Sequence, residues 1–132
     1  MKKIDNFNNA LQVLKKADFD RVSDDEIYRT GIIGQFNLTF ELAWKALQAV
    51  MQRHSIQEAA SGSPREIIKL GYKVGFVTQE EEWLLMLKKR NLSTHIYNEE
   101  EIDEMIGLIK ESFIPAFNML LDNLYEKAAE AD

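Results

Sequence analysis

Eight residues, Arg90-Asn91-Leu92-Ser93-Thr94-His95-Ile96-Tyr97, bring a permanent cation, a titratable imidazole and a phenol into one short stretch. The chain has only two histidines, so the placement of one beside an arginine and a tyrosine invites a chemical reading. An arginine holds phosphate with a planar fork of donors. A histidine has the unperturbed pKa best suited to moving protons near neutral pH. Together they point to phosphodiester chemistry. Metal-independent RNA cleavage requires a base for the 2′-hydroxyl, an acid for the leaving oxygen and a cation for the phosphorane-like transition state. One copy of the motif supplies one histidine, so a two-fold dimer that sets two Arg90 and two His95 around one cleft is the expected arrangement. His54 is a weaker candidate for the second proton-transfer group. Near a helix C-terminus it reads first as a surface residue favoured by the helix dipole.

Geometry limits this reading. On an uninterrupted helix, positions 90 and 95 lie roughly 140° apart around the axis, so a straight helix makes a poor site. A helix that ends near Asn91 to Thr94 would let a turn bring the imidazole back toward the guanidinium, and Asn91, Ser93 and Thr94 favour such turns. Taken alone, R-x4-H more often marks a salt bridge or a cap than catalysis. Tyr97 alone reads as a partly buried aromatic with a hydrogen-bonded hydroxyl. Glu41, Trp44 and Lys45 read as a core residue flanked by an i, i+4 ion pair.

At 132 residues, the chain is about one domain, spanning 1–132, with length for a single core. Hydrophobic residues make up 45% and charged residues 29%, as in soluble globular proteins. No apolar run approaches the roughly 18 residues of a membrane span, and no signal-like stretch follows Met1. A cytoplasmic location with no membrane partner is the default expectation. With no cysteine there is neither disulfide nor thiolate metal site, and the two histidines form no local ligand cluster. No metal or other cofactor is expected. A formal charge of −6 argues against a general nucleic-acid coat, although Lys88-Lys89-Arg90 leaves room for a local phosphate site. The flanking acidic runs, Glu80-Glu81-Glu82 and Glu99-Glu100-Glu101, would repel free RNA or steer a basic partner.

Helical periodicity dominates, and no segment alternates as a half-buried strand would. The chain is read as all-α. A first helix should cover about Asp5 to Ala17, burying Phe7, Leu11 and Leu14. Ser23-Asp24-Asp25-Glu26 has capping-box spacing and should open a long helix reaching about His54. Its stripe is Ile33, Phe36, Phe40, Ala43, Leu47 and Val50, widened by Trp44 and Met51. Gly31 and Gly34 suggest a kink or a close helix contact there. Ser63-Pro64-Arg65-Glu66 predicts a short helix over about Pro64 to Val74, ended by Gly75. Thr78-Gln79-Glu80-Glu81 should start another helix, carrying Trp83, Leu84, Leu87 and Met86 coreward. Asn98 should cap a final helix from about Glu99 past Tyr125, bent or split by Pro115. The tail, Glu126 to Asp132, is expected to be disordered.

Several landmarks in order, Phe40-Glu41-Leu42-Ala43-Trp44-Lys45, Ser63-Pro64-Arg65-Glu66, Trp83-Leu84-Leu85-Met86 and Arg90-Asn91 through His95-Ile96-Tyr97-Asn98-Glu99, cover nearly the whole chain. In these the chain resembles the HEPN superfamily, specifically the HepT-like toxins and the related nucleotidyltransferase substrate-binding proteins. The resemblance implies an antiparallel up-and-down four-helix bundle with an additional short helix, and a homodimer. It implies a ribonuclease site at Arg90 and His95, with Asn91 as the accompanying polar residue. It also implies a minimal nucleotidyltransferase partner acting as antitoxin by AMP transfer to Tyr97, which would block RNA by charge and bulk. An alternative within the same resemblance is a noncatalytic subunit that presents substrate to the nucleotidyltransferase.

Overall fold

The computed structural model describes residues 1–21, 25–92 and 98–131, with positions 91 and 92 described in backbone alone. Helices account for the architecture: α1 (Lys2–Lys15), α2 (Glu26–Arg53), a 3-10 turn (Gln57–Ala60), α3 (Pro64–Lys73), α4 (Glu80–Leu92), α5 (Glu99–Leu108) and α6 (Ile114–Ala131). Between α5 and α6, Ile109–Phe113 forms a π-helical segment, so Glu99 to Ala131 is one rod. The cause lies in Pro115, which has no N–H to give and whose ring crowds the carbonyl one turn back. A widened turn just ahead of it relieves both problems without breaking the helix.

Side-chain contacts fix the directions of the rods. Lys15 donates to Asn118 and Asn8 to Tyr125, so α1 and α6 run antiparallel. Arg29 faces Glu99 and Asp103 at one end of α2, while His54 meets Lys127 at the other, so α2 runs with the α5–α6 rod. His54 packs on Phe76 and Glu41 pairs with Arg90, which makes α4 antiparallel to α2. The result is the expected up-and-down four-helix bundle, with α3 added between α2 and α4. Its core is an aromatic cluster drawn from all four rods: Phe7 on Phe117, Phe36 stacked on Phe113 at 5.2 Å, Phe40 by Trp83, and Trp83 edge-on to Phe117. These rings are buried, and truncating one such phenylalanine to alanine costs about 3–5 kcal/mol.

The sequence patterns map closely onto these elements, with a few differences. The cap of α2 is Asp25, whose carboxylate accepts from the Tyr28 N–H at 3.0 Å, and Glu26 is the first helical residue; Ser23, the expected start of the capping box, lies outside the described residues. α4 begins at Glu80, with the Gln79 carbonyl accepting from Trp83, so its start lies one residue beyond that implied by Thr78. Gly31 and Gly34 sit within continuous α2, and a Cβ at either would meet nothing within 4 Å. No close helix approach explains them. The close approach is at Gly71 on α3, where a Cβ would lie 2.9 Å from both Leu47 and Val77. The tail is helical through Ala131, because Ala128 is buried and continues the apolar face of α6.

Other local expectations hold for stated reasons. Ser63 accepts from the Glu66 N–H while the Glu66 carboxylate accepts from the Ser63 N–H, a reciprocal capping box with Pro64 at the first turn. Gly75 follows α3 at φ +87°, a conformation that side chains resist. Asn98 caps α5 through Oδ1, which accepts from the Glu101 N–H at 2.8 Å.

Candidate functional site

Arg90 lies near the end of α4 and is brought beside Phe40 and Glu41 of α2. Its Nη2 donates to Glu41 Oε2 at 2.5 Å, with the two side chains 32% and 29% exposed. The guanidinium also sits 5.9 Å from the centroid of the Phe40 ring. The expected Glu41–Lys45 ion pair is present at 3.6 Å, but it is the looser of the two. The charge-assisted bond to Arg90 is what gives Glu41 its place, because a short, half-buried guanidinium–carboxylate contact is about twice as strong as a neutral hydrogen bond.

On the other side, Arg90 borders a groove of about 730 Å³ between the start of α3 and the outer face of α4. Ser63, Pro64 and Arg65 form one wall, and Leu84, Leu85, Leu87 and Lys88 the other. This groove explains a difference in α4. Trp83 and Met86 are the buried residues, at 2% and 0% exposure, whereas Leu84 and Leu87, expected in the core, are only partly covered. Five successive apolar residues, 83–87, exceed what one buried face of a helix can use. The surplus lines the groove. That surplus is the sequence signal by which the groove could have been found, together with Arg65 inside the Ser63–Glu66 cap.

Charges around the groove are asymmetric. Its lining carries Arg65, Lys88 and Arg90 and no carboxylate. Glu66, next to Arg65, is turned back to cap α3. Lys89 points elsewhere and donates to Glu104 at 2.8 Å. That hydrogen bond and the lysine's charge hold the Glu104 carboxyl below the usual range. Arg65 and Lys88 have no acidic partner among the described residues.

Of the residues the sequence pointed to, Arg90 is placed on the groove wall. Asn91 is helical, in backbone terms, in the last described turn of α4; the rest of the window expected for the helix end lies outside the described residues. His95 and Tyr97 lie outside the described residues. His54, expected as a dipole-favoured surface residue, is instead tied into the bundle. Its Nε2 is 2.7 Å from the Lys127 carbonyl, and its ring lies edge-on to Phe76. It sits at the far end of α2 from Arg29 and closes the bundle there. Arg29 was missed entirely. It is 6% exposed, with Glu99 at 3.6 Å, Asp103 at 3.7 Å and no hydrogen-bond partner on Nε; it anchors the first turns of α5 to α2. Among the described residues, no group of three or more His, Asp or Glu is placed to hold a metal ion. No helix there is long and apolar enough to cross a membrane.

Comparison with known proteins bears on this geometry. Solved structures with the same fold include ttk003001694 from Thermus thermophilus, 26% identical with a TM-score of 0.70. They also include HI0074 from Haemophilus influenzae, 18% identical with a TM-score of 0.78, described as the fold of a substrate binding domain of a nucleotidyltransferase. Each alignment covers 92% of this chain and 98% of the other. No curated protein matches the chain in sequence. A family model described as nucleotidyltransferase substrate binding protein like matches residues 2–126. With that match running from α1 into α6 and taking in both walls of the groove, the chain belongs to the nucleotidyltransferase substrate binding protein-like family.

Proposed function

We propose that this chain is the noncatalytic, substrate-binding subunit of a two-component nucleotidyltransferase, working as a homodimer with a separate catalytic protein. The observation that carries the reading is the state of Arg90. Its guanidinium is engaged by the Glu41 carboxylate. That carboxylate offsets the charge a scissile phosphodiester would need and would repel the phosphate itself. Beside it, Arg65 and Lys88 face an open groove without acidic partners. Such an arrangement suits holding a ligand more than cleaving RNA. The family match and the fold shared with HI0074 support the same direction.

A second reading, a HepT-like metal-independent ribonuclease with Arg90 and His95 as its catalytic pair and Asn91 beside them, is favoured by one feature: Arg90 is partly exposed on a cleft wall. In that reading the nucleotidyltransferase is an antitoxin that transfers AMP to Tyr97. Co-expression with the nucleotidyltransferase encoded nearest to this chain separates the two. The binding-subunit reading expects a stable complex and nucleotidyl transfer to an added acceptor that requires both proteins. AMP carried on Tyr97 of this chain, seen as a mass increase lost in Tyr97→Phe, would contradict it.

A further inference from the structure

We propose that the groove between α1 and α2 binds an amphipathic carboxylate, its hydrocarbon chain against Val13, Ile27 and Gly31 and its head group at Lys16. The site shares no residue with the groove beside Arg90 and stands apart from the binding-subunit reading. Gly31 and Gly34 mark it. Glycine inside a helix weakens it, and no packing within this chain offsets that loss, because a Cβ at either position meets nothing within 4 Å. At 3.6 residues per turn, Ile27, Gly31, Gly34 and Leu38 fall on one outer arc of α2. Ile27 is 85% exposed and Leu38 49%, and Val13 on neighbouring α1 is 54% exposed; these are three of the four most exposed large hydrophobic side chains among the described residues. Gly107 of α5 is equally open, but the residues around it on the helix surface are Glu100, Asp103, Glu104, Lys110 and Glu111, an ordinary solvated face. The outer arc of α2 is apolar where a surface helix would carry charge.

Shape and charge select the occupant. The groove holds about 370 Å³, at the lower end of the roughly 300–1,000 Å³ of small-molecule sites. Buried Leu14 and Ile32 form its floor, Val13 and Ile27 its walls. One end is closed, where α1 gives way to α2: the Tyr28 hydroxyl accepts from the Asp18 N–H at 2.6 Å, and the Arg21 guanidinium lies 5.0 Å over the Tyr28 ring. A helix from another chain laid along α2 would run into that end. A short hydrocarbon chain stops before it. Lys16, next to the closed end, is the one charged residue in the lining, so the head group that fits is an anion. A single ammonium suits a monovalent carboxylate; a phosphate calls for the planar fork of an arginine or several converging donors.

Calorimetric titration of the full chain with octanoate, decanoate, decanol and decylamine, each below the concentration at which it aggregates, tests the proposal. Decanoate should bind more tightly than octanoate by roughly two- to fourfold for each added methylene, as apolar surface leaving water requires. Decanol should bind more weakly than decanoate, and decylamine more weakly still. Gly31→Leu fills the groove without disturbing the core, since nothing lies within 4 Å of the new Cβ; it should abolish decanoate binding while the melting temperature holds or rises. Lys16→Ala, at an exposed position, should weaken decanoate roughly two- to fivefold, the size of an exposed ion pair, and leave decanol as it was. Three results would overturn the proposal: no decanoate binding at millimolar concentration, decanoate binding that survives Gly31→Leu, or decylamine binding as tightly as decanoate. A parent that binds no decanoate but whose sedimentation changes on Gly31→Leu would overturn it as well and assign this face to contact between chains. The groove beside Arg90 is untouched by both substitutions, so none of these results bears on the binding-subunit reading.

Discussion

Removing Glu41 and Arg90 singly and together should reveal a coupling of about 1–2 kcal/mol between α2 and α4. A hydrogen bond to a charged group is worth roughly 1.5–3 kcal/mol, and the 2.5 Å contact between Nη2 and Oε2 is of that kind. Both side chains remain about a third exposed, at 32% and 29%, so solvent screening brings the value toward the lower end. Glu41 also faces Lys45 at 3.6 Å, and Glu41→Ala loses that contact too. The cycle removes this extra loss, because it is present whether or not Arg90 is there. Urea melts of the parent, Glu41→Ala, Arg90→Ala and the double variant, followed by circular dichroism, give the four free energies; guanidinium would screen the pair and is the wrong denaturant. Some coupling should persist at high salt, since the pair is half-buried. A coupling within about 0.3 kcal/mol of zero would refute the claim that this contact ties the groove-bearing helix to the bundle.

Three further outcomes follow from the same geometry. Ser63→Ala removes one half of the α3 capping box and should cost about 1 kcal/mol, whereas Ser63→Asp, which can cap, should lose much less; thermal melts of the three proteins decide. Arg29→Met should be no less stable than the parent, because Arg29 is buried with an unpartnered Nε and only two long carboxylate contacts, so desolvation offsets most of what it gains; a loss above about 2 kcal/mol would show those contacts to be stronger than their lengths imply. The Glu104 carboxyl is held below its ordinary value by the hydrogen bond and charge of Lys89. Its contribution should therefore be present above about pH 4.5, the unperturbed value, and fade as pH falls through the lowered one; Glu104→Gln should melt below the parent at neutral pH and converge with it in acid.

Much of this fold could be read from residue types because local chemistry and tertiary packing agree. Of the stripe Ile33, Phe36, Phe40, Ala43, Leu47 and Val50, the last five are fully buried, while Ile33 is only partly covered and Ile32 takes the buried place; the Ser63 box, the Gly75 stop and the Asn98 cap each satisfy backbone groups that a helix end leaves open. Pro115 announced a fault in the last rod, and the chain answers with a π turn in place of a break. What could not be read depends on which helix lies opposite. Glu41 had two basic candidates, Lys45 four residues away and Arg90 across the bundle, and spacing reveals only the first. Gly31 and Gly34 look like a contact motif, yet Gly71 is the glycine that α2 and Val77 press against. Periodicity could not divide 83–87 between core and groove, because all five residues are apolar. Arg29 gave no signal at all: a single arginine in an amphipathic helix becomes notable only when α5 closes over it. Of the site, Arg90 was legible from its motif and Lys88 from the basic run Lys88-Lys89-Arg90, while Arg65 became a candidate only once α3 and α4 stood side by side.

The most direct test of the binding-subunit account is incubation of the unmodified, dimer-verified chain with total RNA and with transfer RNA in the presence of EDTA, beside folded Arg90→Ala and His95→Ala controls. The account predicts that RNA integrity, read on denaturing gels, is the same with all three proteins as with buffer. Cleavage by the parent that both substitutions abolish would contradict it and establish a metal-independent ribonuclease.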